Sequence, residues 1–178
     1  MPAPDAVVVR ELRDEDAESL LSLHHALDAE TSMMMLEPGE RTVTVGDVRA
    51  QLRRTVKTAN ATILAAQAGD ELVGYVEAAG GRYRRTRHTA YVVIGVRDAW
   101  QGRGLGRELL MSLEKWARGH GIRRLELTVR VDNARARRLY ERARYITEGV
   151  RRASLVIGNE TVDELAMARI IEPDTESA

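Results

Sequence analysis

Gly102, Gly104 and Gly106 occupy alternate positions in QGRGLG, residues 101–106, with Arg103 among them and Arg107 directly after. Glycine weakens both strands and helices, so three of them where an apolar run passes into a helical pattern need a reason. The first turn of a helix carries N–H groups without intrahelical partners, and these bear partial positive charge. Glycines let a bulky anion approach such a backbone with no Cβ in the way, and phosphate or pyrophosphate is the natural guest. The two arginines add charge at the rim. A simple connecting turn is the other reading of the spacing. Two known phosphate loops do not fit. A P-loop needs Lys-Ser or Lys-Thr after its last glycine, and Arg107-Glu108 follows here. A dinucleotide fingerprint needs G-x-G-x-x-G and an acidic residue ending the next strand, whereas the next strand ends at Arg130.

The elements that must position this stretch follow from periodicity. Val7 to Leu12 reads as a strand, and Asp14 opens a helix with Ala17, Leu20, Leu21, His24 and Leu27 near one face. Residues 31–44 form a loop around Pro38-Gly39, and 45–57 have helical spacing. Strands at 61–67 and 72–79 read as an antiparallel hairpin. TAYVVIGV, residues 89–96, is apolar and β-branched enough for a central strand buried on both faces. A helix over 104–119, a strand over 125–131 and a helix over 134–143 follow, with Asp132 or Asn133 as cap. Two strands, 149–157 and 161–171, close the pattern, and the last five residues are expected to fray. This is an α/β fold with a mixed sheet of about seven strands and four helices. Residues 89–131 form a parallel, right-handed crossover. With no repeat, linker or low-complexity tract, the 178 residues read as one domain with its core over about 6–172.

Composition narrows the function. Charged residues are 30% of the chain and the net charge is zero, which gives no general attraction to nucleic acid or membrane. There is no cysteine, so disulfides, thiolate metal sites and cysteine nucleophiles are excluded. No window approaches the ~20 apolar residues of a membrane span. A cytoplasmic location is the matching expectation. His24-His25 lacks neighbouring ligands, and no cluster has metal-ligand spacing. SMMML, residues 32–36, could form a pliable apolar wall or simple core, with Glu30, Glu37 and Glu40 around it. RYRRTR, residues 82–87, reads as a solvated hairpin end, with a cofactor's 3′-phosphate or an acidic partner as the other readings.

Val96, four residues and then QGRGLG resemble the Q/R-x-x-G-x-G/A signature of the GNAT superfamily of acyl-CoA-dependent N-acetyltransferases. VDNARARRLYERARYITEG, residues 131–149, is similar to that family's following motif. There an Asn begins a helix, a Leu-Tyr pair lies near its end, and an aromatic-x-x-E-G segment follows. The resemblance implies a GNAT-like fold with splayed central strands and acetyl-CoA as co-substrate.

Carried onto this chain, the resemblance assigns Ile94, Gly95 and Val96 to the pantetheine arm. It assigns Gln101, Gly102, Arg103, Gly104, Leu105, Gly106 and Arg107 to the pyrophosphate, and Asn133 to the cofactor arm. Tyr140 matches the tyrosine that protonates the leaving thiolate. No metal is required. The acceptor implied is an amine of a small molecule or a protein. Some relatives carry a Glu five residues before the Asn, where this chain has Thr128. Glu126, on the same face, and Glu77 on the hairpin are the candidate bases, and His88 reads as an ordinary loop histidine. Arg144 stands where the family usually has glycine, which alters the turn after the last helix. A coenzyme-binding sensor without turnover and a transferase of another acyl group are the alternative functions. Relatives are often dimers, so a homodimer is the matching expectation, and no sequence feature fixes it.

Overall fold

A computed structural model describes residues 7–172. The fraying expected of the last residues, and the start of the chain up to residue 6, lie outside them. The chain runs β1 (Val7–Glu11), α1 (Ala17–Glu30), α2 (Val45–Val56), β2 (Ala61–Ala68), β3 (Glu71–Gly80) and β4 (Thr89–Val96). It continues through α3 (Leu105–Gly119), β5 (Arg124–Arg130), α4 (Ala134–Arg142), β6 (Ile146–Ile157) and β7 (Glu160–Ile170). The strands form one seven-stranded mixed sheet in the order β1-β2-β3-β4-β5-β7-β6. Only β4 and β5 pair in parallel, as the crossover through α3 requires.

Two apolar layers cover the sheet. On one face α3 lays Leu105, Leu109, Leu113 and Ala117 against Val76, Val92, Leu125 and Leu127. These spacings return to the same side of a 3.6-residue helix. On the other face Leu20, Leu23 and Leu27 of α1 and Leu52 of α2 cover Ile63, Ala65 and Tyr75. Helix α2 starts where Thr44 and Asp47 cap each other's backbone, at 3.2 and 2.8 Å.

The strand expected to be buried on both faces is buried so only in part. β4 pairs with β3 along its whole length, from Gly80↔Ala90 to Gly74↔Val96. With β5 it pairs at just three positions, Thr89↔Arg124, Ala90↔Leu125 and Tyr91↔Glu126. From Val92 onward the two strands separate, and Tyr91 at the fork is 40% exposed. β6 also begins earlier than its pattern suggests, at Ile146. The chain reverses in a single left-handed step at Arg144, with φ of 65°, and no longer turn intervenes.

Candidate active site

The fork between β4 and β5 is the centre of the site. Beyond Tyr91, the β4 edge facing β5 has no strand partner, so the backbone groups of Ile94 to Val96 that do not bond β3 face the gap, except the Val96 carbonyl, which Gln101 occupies. The edge leads, through a short turn at Asp98–Trp100, into the glycine stretch. Gly102 and Gly104 have φ of 77° and 85°, which an L side chain rarely adopts, so here the glycines set the turn. The first helical bond of α3 runs from Glu108 N–H to the Gly104 carbonyl, at 3.1 Å. The amides of Leu105, Gly106 and Arg107 therefore form the helix's unpaired first turn.

Gly106 has a different reason from its neighbours. A Cβ there would lie 3.0 Å from Leu139 Cδ2, so the missing side chain lets α3 and α4 approach. Gln101 braces the turn by donating from Nε2 to the Val96 carbonyl at 2.9 Å and to Asp98 at 2.8 Å. Its Oε1 accepts from Arg135 of α4. Arg103 lies over the Trp100 ring, 4.9 Å from its centroid, and Arg107 is exposed. The basic loop 82–87 sits at the opposite end of β4, some 23 Å away at strand rise.

Helix α4 reaches the same fork. Asn133 caps it, its side-chain oxygen accepting from Ala136 N–H at 3.1 Å. That bond gives Asn133 a structural duty whatever else it contacts. Tyr140 is 7% exposed and 5.8 Å from the Tyr145 ring; its carbonyl accepts from Tyr145 N–H at 2.9 Å, while its hydroxyl bonds no described residue. Burial first, then the nearby Tyr91, pushes its phenol well above the usual tyrosine range. Such a hydroxyl keeps its proton across the working pH range and can only donate it.

A second group of polar side chains lies on the opposite face of the sheet. Glu77 of β3 is half-buried and takes one hydrogen bond, 3.1 Å from Gln51 of α2. Burial raises its carboxyl above the ordinary value, and the Gln51 bond works against that rise. Glu126 is placed otherwise. Arg124 holds it at 2.9 Å while gripping Glu148 at 2.5 Å, so a cation already neutralises it. Thr128 takes part through a bond that joins the two forking strands, 2.9 Å from the Tyr91 hydroxyl. His88 is exposed, and it is its backbone carbonyl that Arg123 and Arg124 N–H contact.

The α1–α2 connection closes this side. Glu30 binds Arg97 at 2.6 Å and Asp98 N–H at 3.0 Å, and Glu40 accepts from Glu37 N–H. Two of the three carboxylates around the methionines thus hold the backbone. Arg130 at the end of β5 donates to the Ser32 carbonyl at 2.9 Å. The segment 30–32 is therefore tied to both ends of the fork. Met33 and Met35 beside it are exposed.

Sequence reasoning did not find Tyr75 or the Asp28–Arg41 pair. Arg41 grips Asp28 through two bonds, at 2.6 and 3.0 Å, and Asp28 is buried. His24 is 6% exposed, packs edge-on to Tyr75 at 4.8 Å and leaves Nε2 without a partner. Burial and then Arg41 lower its pKa to about 4. Tyr75 leans over Gly95, whose absent Cβ would stand 3.1 Å from the ring and 2.7 Å from Leu27. The signal was an apolar helical stripe containing one histidine, which core packing also produces. Among the described residues, no three His, Asp or Glu side chains gather as metal ligands. A cleft of about 570 Å³ behind α1, beside Glu18, Glu71 and Arg97, holds none of the residues expected at the coenzyme site.

A forked pair of strands opening onto a glycine-led helix start is the arrangement that the sequence motifs implied. The model of the Acetyltransferase (GNAT) family matches residues 20–144. The chain belongs to this family. It is 41% identical over 105 residues to the N-alpha-acetyltransferase RimI of Mycobacterium tuberculosis, covering 58% of this chain and 63% of that protein. It is 32% identical over 104 residues to the L-amino acid N-acetyltransferase AaaT of Escherichia coli, covering 56% of this chain and 62% of that one. The matches thus span less than two thirds of these relatives. Among solved structures, a GNAT acetyltransferase from Streptococcus pneumoniae superposes with a TM-score of 0.90 at 26% identity, covering 94% of this chain and all of that one. The yncA protein of Salmonella typhimurium, solved with its cofactor acetyl-CoA, superposes at 0.83 with 20% identity and shares the fold, covering 96% and 97% of the two chains. No helix among the described residues is long and apolar enough to cross a membrane.

Proposed function

We propose that this GNAT chain transfers an acetyl group from acetyl-CoA to an amine by direct attack in a ternary complex. The observation that carries the reading is the freed edge of β4 running straight into the unpaired first turn of α3. An extended amide-bearing arm can pair with the first, and a pyrophosphate can lie on the second. The residues present fit the coenzyme. Ile94 to Val96 would hold the arm and the amides of Gln101 to Arg107 the pyrophosphate, with Asn133 beside the arm. The coenzyme supplies the activated thioester.

The amine must attack in its neutral form, forming the C–N bond as the C–S bond breaks. Backbone N–H groups of β4 polarise the acetyl carbonyl. Tyr140, kept protonated by its burial, gives its proton to the departing thiolate. Glu77 is the better placed base for the amine proton, because it lacks a cation partner while Glu126 is bound to Arg124. Most of the acceleration comes from aligning two substrates across one gap.

Thiol release from acetyl-CoA, followed across a panel of amines, amino acids and peptide N-termini, tests the proposal. Acceptor-dependent release is expected. Tight coenzyme binding with no release to any acceptor would support a sensor instead. Faster release with a longer acyl-CoA would change the donor.

A further inference from the structure

The α4–β6 turn places an arginine where the backbone favours glycine. Arg144 sits at φ of 65° and its side chain is exposed. It makes no ion pair or side-chain hydrogen bond with any described residue, so nothing within the fold rewards it there. L side chains adopt this region at a backbone cost that glycine escapes, and such strain concentrates where a side chain has work to do.

Arg144 lines a cleft of about 380 Å³ between α3 and the end of α4. Arg107, Arg142 and Arg169 line it too, against a single carboxylate, Glu114. That carboxylate is already shared by Arg118 and Arg169. Arg107 and Arg142, like Arg144, have no acidic partner among the described residues. Behind the cleft the Tyr145 hydroxyl, on a residue 4% exposed, has no hydrogen-bond partner. Unpaired arginines held together repel one another unless an anion joins them.

The cleft also adjoins the glycine loop. Arg107 belongs at once to the unpaired first turn of α3 and to the cleft wall. From there the wall follows α3 to Glu114, about 10 Å along the helix at 1.5 Å per residue. An anion at the adenosine end of a coenzyme whose pyrophosphate lies on that turn falls within this span.

We propose that the Arg107–Arg142–Arg144 cleft binds a phosphomonoester dianion, the 3′-phosphate at the adenosine end of coenzyme A. The inference rests on the coenzyme reading above. It gives Arg144 the duty that explains its backbone, and it leaves loop 82–87 outside the coenzyme site. Charge-assisted bonds of this kind are each worth on the order of tenfold in affinity.

The test compares acetyl-CoA with acetyl-dephospho-CoA, by Kd and by KM. The wild-type protein is expected to bind the dephospho form about tenfold or more weakly. Arg144→Gly and, separately, Arg142→Ala should bring that ratio towards one. Arg144→Gly should also keep or raise the Tm, since glycine accepts the turn freely. Inorganic phosphate should compete against acetyl-CoA and much less against the dephospho form. Equal wild-type affinities for the two forms would overturn the cleft assignment and leave acetyl transfer standing. A ratio unmoved in both variants, or phosphate competing equally against both forms, would do the same. Failure of either form to bind the wild-type protein would overturn the coenzyme reading itself.

Discussion

The two sides of the gap between β4 and β5 are built in opposite ways. The side proposed to hold the coenzyme is made of backbone: a freed strand edge, two left-handed glycines and the unpaired amides of a helix start. Its few side chains come from two stretches close in sequence, 96–107 and 133–140. The side proposed to take the acceptor is made of side chains brought from afar. Glu77 meets Gln51 across 26 residues, Tyr91 meets Thr128 across 37, and Arg130 meets Ser32 across 98. Backbone recognition demands glycine at fixed spacing and so leaves a local pattern. Side-chain recognition tolerates many residue types, because what matters is where the fold delivers them. The difference teaches that one side can be general to a family and the other particular to a chain.

Tyr140→Phe should produce the largest effect, because it breaks the step that both sides share. Removing a general acid lowers kcat by about 10²-fold or more. Coenzyme affinity should stay near the wild-type value, since the ring and its packing on Tyr145 remain. Stopped-flow thiol release and a coenzyme titration measure the two separately. Unchanged kcat would remove Tyr140 from the chemistry.

Gly104→Val breaks the coenzyme side alone. A β-branched residue at φ of 85° costs about 1–3 kcal/mol, which moves the turn or weakens the fold. A Cβ at Gly104 meets nothing within 4 Å, so the strain is purely conformational. The expected result is a roughly tenfold to hundredfold higher Kd for coenzyme, with the amine's KM little changed. Isothermal titration reads it.

How much of each side was legible follows from the same contrast. The order of elements, the strand at 89–96 and the helix ends at Gly104 and Gly119 were readable from periodicity and glycine placement. The fork was legible only through the family resemblance, because a strand reads as apolar whether or not its neighbour leaves it at Val92. The reason for each glycine was not legible, since φ and the Leu139 contact are properties of the folded chain. Glu126 read as a candidate base because strand alternation put it on the right face. Arg124 two residues earlier lies on that face too, and the pair it makes with Glu148 is long-range. Tyr75, Asp28 and Arg41 left no signal, because a buried ion pair needs a geometry that no spacing encodes.

The acceptor side should show itself by its acid sensitivity. His24 has its pKa lowered to about 4, so the unfolded chain takes up a proton, near pH 6.5, before the folded one does. Stability is therefore full above about pH 6.5 and falls as the pH drops towards 4. At pH 5 the loss attributable to this one group is about 2 kcal/mol. His24→Leu should flatten the slope of stability against pH between 6.5 and 4, whatever it does to stability at neutral pH. Denaturant unfolding at several pH values gives the slope. An unchanged slope would assign the acid sensitivity to other groups.

Gly106→Ala should have the smallest effect, and it separates two uses of glycine within one motif. A Cβ here meets Leu139 Cδ2 at 3.0 Å, which is close but involves the far end of a flexible side chain. Leu139 is half-buried and can give by a few tenths of an ångström. Against that small cost, alanine gains up to about 1 kcal/mol over glycine inside a helix. The two nearly cancel, so Tm should move by a few degrees at most. Coenzyme affinity should hold, because the Gly106 amide stays in place and its φ is negative, unlike that of Gly104. A large loss of affinity would mean that the coenzyme passes directly over Gly106. The third glycine would then serve the anion as the first two do, and the α3–α4 packing would be incidental.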